Sequence, residues 1–178
     1  MSAKSNFVFK ALNIVAWIIF VGLCIEAGGL IVNFVFSLYK PEFVQNLYQK
    51  LDLSEMYSRS KWAFFNMYTF ILVISILKAY LFYVVIRLIY KLDLSNPFNR
   101  YVSEQITQIS YLTLSIGLLS YIARQTAKNL MHRGYEIDQL SQFWVDSEAF
   151  ILMAAIVYII AIIFKKGIEL QNENDLTI

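Results

Sequence analysis

Two charged residues lie deep inside apolar stretches of the chain, Glu26 in the first stretch and Lys78 in the second. A charge at the centre of a bilayer costs at least about 2.5 kcal/mol on insertion scales, so such residues mark positions with a specific role. The pair fits a salt bridge that fixes the register of two helices. It also fits a proton or ion relay, although relays usually need several ionisable groups in series. In a third alternative, Lys78 snorkels to the interface or pairs with a partner protein.

The elements that carry these charges are apolar runs long enough to cross a membrane. Of the 178 residues, 58% are hydrophobic and only 16% charged, against about 45–50% and about 25% in soluble domains. Because a span needs about 20 mostly apolar residues, we predict spans at about 11–38, 62–89, 106–122 and 149–164. The sequence therefore predicts an all-α polytopic membrane protein. Its single domain, residues 1–178, is a bundle of four transmembrane helices with a short polar C-terminal tail at 167–178.

Antiparallel spans bring the two charges towards each other. The helical rise places Glu26 about 24 Å beyond Lys10, and Lys78 about 14 Å before Arg87, so their Cα atoms differ in depth by about 10 Å. Side chains in a helix lean towards its N-terminus, and in antiparallel helices this closes the gap. We expect an ion pair between Glu26 and Lys78, direct or through a water or a hydroxyl of the third span.

Small and weakly polar residues recur at steps of three and four along the spans. Faces of this kind let membrane helices approach closely and form hydrogen bonds, so they are predicted to point into the bundle. A solute path along the same faces is the alternative interpretation. The predicted polar interior face contains Asn33, Ser110, Thr113, Ser120, Arg124 and Tyr158.

The connecting segments also carry patterns. Between spans 1 and 2, Phe43, Leu47 and Leu51 recur every four residues, which predicts a short amphipathic helix on the membrane surface. A similar interfacial segment is predicted between spans 3 and 4. Before span 3, Asn96 and Pro97 predict a helix N-cap followed by proline at the first helical position.

The orientation of the chain does not follow from its charges. Four spans place both termini on one side, and the lysines and arginines outside the spans divide equally between the two sides. The positive-inside rule therefore gives no answer when applied to the whole chain. Because Lys4 and Lys10 flank the first span, we expect both termini in the cytoplasm.

Several chemistries are excluded or unsupported by the residue types. A single cysteine, Cys24, and a single histidine, His132, rule out an internal disulfide and a Cys/His zinc cluster. The sequence has neither a glycine-rich phosphate loop nor an H-E-x-x-H helix. A net charge of +2 suggests no bulk attraction to nucleic acid. We expect no enzymatic activity, no metal, no cofactor and no direct nucleic-acid contact, with the lipid bilayer as the obligatory partner.

Two motifs resemble a known family. Residues 166–178 read Lys-Gly-Ile-Glu-Leu-Gln-Asn-Glu-Asn-Asp-Leu-Thr-Ile, and Asn-Pro-Phe stands at 96–98. Both resemble an uncharacterised bacterial four-helix membrane protein family typified by YoaS, a domain-of-unknown-function family. Its members are often encoded beside a small helix-turn-helix regulator, so the resemblance implies a sensor or anchor in the bacterial cytoplasmic (inner) membrane that pairs with a cytoplasmic transcription factor. The docking residues this implies are Asn96, Pro97, Phe98, Gly167, Glu169, Gln171, Glu173, Asn174 and Asp175.

Two other functions remain open from the sequence. A small transporter, channel or flippase subunit predicts a water-filled cavity that reaches Glu26 and Lys78. An accessory subunit of a larger membrane complex, or a homo-oligomer, predicts an exposed groove of small residues on one helix face.

Overall fold

The structure, a computed structural model, describes residues 3–92, 97–144 and 146–175, with side chains for 7–40, 42–92, 97–144 and 146–173. Over this part the chain is helical, and five α-helices are joined by short 3₁₀ turns. The helices are α1 (Ala3–Tyr39), α2 (Ser54–Arg59), α3 (Lys61–Lys91), α4 (Arg100–His132) and α5 (Ser147–Asp175). The 3₁₀ turns are Pro41–Gln45, Tyr48–Lys50 and Asp138–Phe143.

Four of the helices are long and apolar enough, by length and composition, to cross a membrane. The predicted all-α fold with four spans is confirmed. α1, α3, α4 and α5 contain 37, 31, 33 and 29 residues. At about 1.5 Å per residue each exceeds the roughly 30 Å hydrocarbon core, so every helix projects from the bilayer or tilts within it. Hydropathy locates only the lipid-immersed part, which is why α4 is much longer than the predicted span at 106–122.

The long helices run antiparallel and pack side by side in chain order. α1 packs on α3, where the Tyr68 hydroxyl donates to the Leu30 carbonyl at 3.0 Å. α3 packs on α4, and the contact between α4 and α5 is the most extensive. The start of α1, residues 97–99 and the end of α5 therefore lie at one end of the bundle, called the terminal side. The segments that join α1 to α3 and α4 to α5 lie at the other end, the cap side.

The start of α4 corrects one prediction from the sequence. The helix begins at Arg100, and the side chain of Asn99 caps it by accepting from the Val102 amide at 3.0 Å. Pro97 thus precedes the helix and does not occupy its first position, while Asn96 lies outside the described residues. Asn96 and Asn99 each precede residues that could start a helix, and the sequence alone did not show which asparagine is the cap. A capping side chain contributes about 1 kcal/mol to helix stability.

The cap-side segments form a small folded unit. This cap, residues 40–60, 133–144 and 146, encloses a buried apolar cluster to which it contributes Val44, Leu47, Leu51, Leu53, Met56, Leu140 and Phe143. The predicted helix through Phe43, Leu47 and Leu51 forms as three short helical pieces, and Phe43 stays 41% exposed. The break occurs at Gln49 and Lys50, whose positive φ angles of 60° and 61° are incompatible with a continuous right-handed helix.

The cap reaches down between the long helices. The Tyr48 ring packs on Gly29, about 15 Å below the end of α1. The Phe143 carbonyl accepts a hydrogen bond from Lys78, which lies about 26 Å along α3 from its first residue. Backbone that is not α-helical is tolerated at such depth only where protein surrounds it. Leu140 and Phe143 meet this condition, because their side chains are buried.

Arg59 fastens the two halves of the cap. Its guanidinium donates to the carbonyls of Arg133, at 2.6 Å, and Gly134, at 2.8 Å. The same group lies 4.3 Å from the centroid of the Tyr135 ring. Gly134 adopts a φ of 79°, which ends α4 and turns its carbonyl towards the arginine. The first loop is thereby tied to the second.

The first loop is also ordered internally. The Asp52 carboxylate accepts from the Ser54 amide at 2.9 Å. Hydrogen bonds with Ser54 hold the pKa of Asp52 below its usual range. The Asp52 amide donates to the Gln139 side chain at 3.1 Å, which adds a second link between the halves of the cap.

Gly29→Ala is expected to loosen the cap, and Gly28→Ala is its matched control. A Cβ on Gly29 would lie 2.6 Å from Cδ2 of Tyr48, whereas one on Gly28 would meet nothing within 4 Å. Both changes gain helix propensity of about 1 kcal/mol, but overpacking costs about 1–3 kcal/mol at Gly29 alone. Unfolding titrations in mixed micelles should therefore give a lower free energy of unfolding for Gly29→Ala than for Gly28→Ala. Equal free energies of unfolding would contradict the seating of Tyr48 on α1.

Candidate functional site

Two of the segments with predicted docking residues meet on the terminal side. The Phe98 ring packs against Phe164, with ring centroids 5.3 Å apart. It also lies against Gly167, where an added Cβ would come within 2.6 Å of Cδ1 of Phe98. Glycine at 167 therefore allows the ring to rest directly on the helix backbone. This contact joins the segment before α4 to the end of α5.

The C-terminal segment is helical where the sequence predicted a polar tail. α5 continues through the tail region to Asp175, about 16 Å beyond Phe164. Glutamate, glutamine and leucine favour a helix there, and Lys166 pairs with Glu169 one turn later at 2.5 Å.

The extension of α5 exposes a graded charge pattern. Lys165 and Lys166 follow directly after the apolar run, and Glu169 and Glu173 come after them. Gln171 and Glu173 are exposed. The side chains of Asn174 and Asp175 lie outside the described residues, as do residues 176–178. The described end of the helix thus has two lysines, which are followed by an accessible acidic surface.

Glu26 and Lys78 lie on facing helices, and each has a polar partner of its own. The Ser75 hydroxyl donates to Oε1 of Glu26 at 3.1 Å, and the Lys78 ammonium donates to the Phe143 carbonyl at 3.3 Å. The carboxylate of Glu26 is close enough to attract Lys78 electrostatically. Among the described ion pairs, none within 4.0 Å joins the two charges. The hydroxyl that binds Glu26 comes from Ser75 on α3, whereas the prediction allowed a hydroxyl of the third span.

Most of the predicted polar interior face lines the contact between α4 and α5. Ser110, Thr113 and Ser120 are buried. The Ser110 hydroxyl donates across the contact to the Ala154 carbonyl at 2.9 Å. Gly117 lies where a Cβ would come 3.0 Å from Cγ1 and 3.2 Å from the amide nitrogen of Ile151. Small residues on this face therefore bring the two backbones close together, as in other membrane helix pairs.

Arg124 and Asn33 are only partly buried. Arg124 donates to the Ser147 hydroxyl at 2.8 Å and to the Glu148 carboxylate at 3.2 Å. These contacts fix the start of α5 against α4, within the cap-side half of the bundle. Asn33 lies half-buried on α1.

Tyr158 does not belong to the interior face, and the prediction was wrong for this residue. Its side chain is 42% exposed, and its ring lies beside Tyr111 with centroids 6.1 Å apart. Ala154 and Ala161, one turn away on either side, are buried. Alanine fits the close contact with α4, whereas a tyrosine ring is too large for it and turns to the lipid-facing edge.

Sequence reasoning missed two features of this molecule. One is the Phe143 carbonyl, a backbone group whose contact with Lys78 no residue type indicates. The other is a groove between α4 and α5 on the terminal side, with a volume of about 590 Å³. Its lining includes Arg100, Glu104, Thr107, Tyr111, Lys165 and Glu169. The signal was the spacing of polar residues at 100, 104, 107 and 111, which places them on one face of α4.

Side chains that could bind a metal are not clustered in the described part of the chain. Within residues 3–92, 97–144 and 146–175, no group of three or more His, Cys, Asp or Glu side chains could hold a metal ion. The polar groups that do converge are the intramembrane charges with the Phe143 carbonyl, and the ionic lining of the groove.

Four antiparallel helices of spanning length, with a cap that fills one half of the bundle, define a multi-pass integral membrane protein. Residues 47–178 match the family described as Protein of unknown function (DUF2975), and the chain belongs to that family. The match begins inside the cap and includes α2 to α5. Comparisons with curated proteins and with solved structures gave no match.

Proposed function

We propose that the protein is a membrane anchor or sensor that holds a cytoplasmic helix-turn-helix transcription factor at the terminal side of its bundle. The observation that carries the proposal is the extension of α5, which continues as a helix beyond the apolar run and packs against Phe98 at its base. An exposed helix loses little conformational entropy on binding, which favours docking over a disordered tail. Its acidic residues complement the basic surface that DNA-binding proteins carry.

The proposal includes an orientation and a compartment. The termini, residues 97–99 and the α5 extension face the cytoplasm of a bacterium, and the cap faces the other side of its inner membrane. Lys4 and Lys10 support this assignment because they precede the first span. In this arrangement, the cap receives the stimulus and the terminal side releases or retains the regulator.

Deleting residues 169–178 is expected to release the regulator from the membrane. The deletion removes the acidic end of the extension but leaves Phe98, Phe164 and Gly167 in contact, so the bundle keeps its packing. The test is purification from native membranes followed by mass spectrometry. Full-length protein should carry one stoichiometric DNA-binding protein, and the deletion variant should carry none.

A matched deletion is not available in the cap, so point variants provide the control. Glu136→Gln and Gln142→Ala alter exposed cap residues at the opposite end, and both should retain the regulator. Retention by the deletion variant would contradict docking on α5. A transport protein as the stoichiometric partner would favour the accessory-subunit alternative.

One observation favours a second function, a small transporter, channel or flippase subunit. Glu26, Ser75, Lys78 and the Phe143 carbonyl place polar groups together within the membrane-spanning part. Backbone that is not α-helical, beside intramembrane charges, is typical of substrate and ion sites. Ion flux in proteoliposomes that is lost in Lys78→Met, with the regulator still bound, would support this function.

A further inference from the structure

The groove between α4 and α5 extends from the membrane interface into the hydrocarbon region. Lys165 directly follows the apolar run of α5, and Arg100 is the first residue of α4, so both lie at headgroup depth on the terminal side. Tyr111 lines the same groove about 16 Å further along α4. The groove thus has a charged mouth at the interface and an aromatic wall beneath it.

The mouth of the groove carries equal numbers of opposite charges. Arg100 and Lys165 supply two cations, and Glu104 and Glu169 supply two carboxylates. Arg100 and Glu104 pair at 2.7 Å, but their side chains remain 90% and 58% exposed, so both keep free hydrogen-bonding capacity. A ligand that fits this arrangement carries one anionic and one cationic group, because either group alone would leave half of the mouth repelling it.

The deeper wall of the groove is suited to an acyl chain. The Tyr111 and Tyr158 rings lie side by side and are half-exposed. Leu114 and Leu118 continue the Tyr111 face of α4 at helical spacing, and both are exposed. An acyl chain that lies along these residues is covered on one side by protein and on the other by lipid. A soluble ligand would gain nothing from this wall.

We propose that the groove binds one phospholipid with a phosphoethanolamine headgroup. Arg100 and Lys165 bind its phosphate, and Glu104 and Glu169 accept hydrogen bonds from its primary ammonium. The Ser103 hydroxyl, also in the lining, adds a further acceptor. A quaternary choline has no N–H to donate and loses these bonds, whereas a glycerol headgroup leaves the carboxylates without a cation. The site is therefore selective for phosphatidylethanolamine. It shares Glu169 with the docking surface proposed above, whereas Arg100, Glu104 and Lys165 lie outside that surface.

Native mass spectrometry of the full-length protein in detergent tests this site. The protein is titrated with equal amounts of phosphatidylethanolamine, phosphatidylcholine and phosphatidylglycerol, and with soluble phosphoethanolamine. Phosphatidylethanolamine should bind about tenfold more tightly than the other lipids, the effect of one charge-assisted hydrogen bond. Glu104→Gln should abolish the preference. Lys165→Gln should weaken the binding of all three lipids, because each of them carries a phosphate. Glu136→Gln and Lys128→Gln, exposed residues on the cap side, should retain both the affinity and the preference.

Several results would overturn the assignment. Equal binding of the three lipids, a preference for phosphatidylglycerol, or unchanged selectivity in Glu104→Gln would each exclude a phosphoethanolamine site. Binding of soluble phosphoethanolamine as tight as that of the lipid would assign the groove to a soluble ligand instead. A polypeptide that co-purifies in the groove and is displaced by no lipid would assign it to a protein. Because Glu104 lies outside the docking surface, its variants should still hold the regulator, so the two proposals fail separately.

Discussion

Lys78→Met lowers the free energy of unfolding by up to about 3 kcal/mol, and adding Glu26→Gln to it restores about half of that loss. The single change leaves the Glu26 carboxylate in the membrane without a nearby cation. It also leaves the Phe143 carbonyl, at the same depth, without its donor. The second change removes the uncompensated charge but not the unpaired carbonyl, so the recovery is partial.

A double-mutant cycle in mixed micelles, read by unfolding titration, measures this coupling. Lys128→Met is the matched control, because it removes an exposed lysine from α4 and should change stability by no more than about 0.5 kcal/mol. Ser75→Ala measures the contribution of the Ser75 hydroxyl alone to the free energy of unfolding. Additive effects of Lys78→Met and Glu26→Gln would show that the two charges act independently. The coupling between Glu26 on α1 and Lys78 on α3 would then be wrong.

Gly117→Leu is expected to separate α4 from α5 and to destabilise the bundle by about 1–3 kcal/mol or more. A Cβ at 117 already comes within 3.2 Å of a backbone nitrogen in α5, and backbone cannot rotate away as a side chain can. This contact is the most extensive in the fold, so its loss also disturbs the groove and the position of the α5 extension.

Gly22→Leu is the control for that prediction, and we expect it to stabilise the protein. A Cβ at Gly22 meets nothing within 4 Å, so the leucine faces open space on α1 and gains helix propensity of about 1 kcal/mol. The unfolding temperature and the folded yield of the two variants measure this difference in stability. Stabilisation by Gly117→Leu equal to that by Gly22→Leu would mean that α4 and α5 do not approach closely at this level.

The hydropathy of the chain was enough to predict the four spans, because lipid immersion demands long apolar runs whatever the packing. It was also enough to place Glu26 and Lys78 on facing helices. The Phe143 carbonyl could not be predicted, since every residue carries one and only the path of the cap brings this one to Lys78. Gln49 and Lys50 likewise adopt left-handed conformations that tertiary contacts impose and residue type does not favour.

Side-chain size explains the remaining error on the interior face. Ala154, Tyr158 and Ala161 share a spacing that predicts one common face, yet only the alanines fit against α4. Periodicity gives the direction of a residue but not the distance to the neighbouring helix. At the terminal side, the resemblance implied docking residues that the structure partly brings together, through Phe98 and Gly167.

Site-specific photocrosslinking in living cells tests the central proposal most directly. A photoreactive residue replaces Gln171 on the α5 extension or, as the matched position, Gln142 in the cap; both glutamines are exposed and lie at opposite ends of the bundle. We expect a crosslink from position 171 to a soluble DNA-binding protein and none from position 142. A crosslink to that protein from position 142 alone, or crosslinks from position 171 to lipid only, would contradict it.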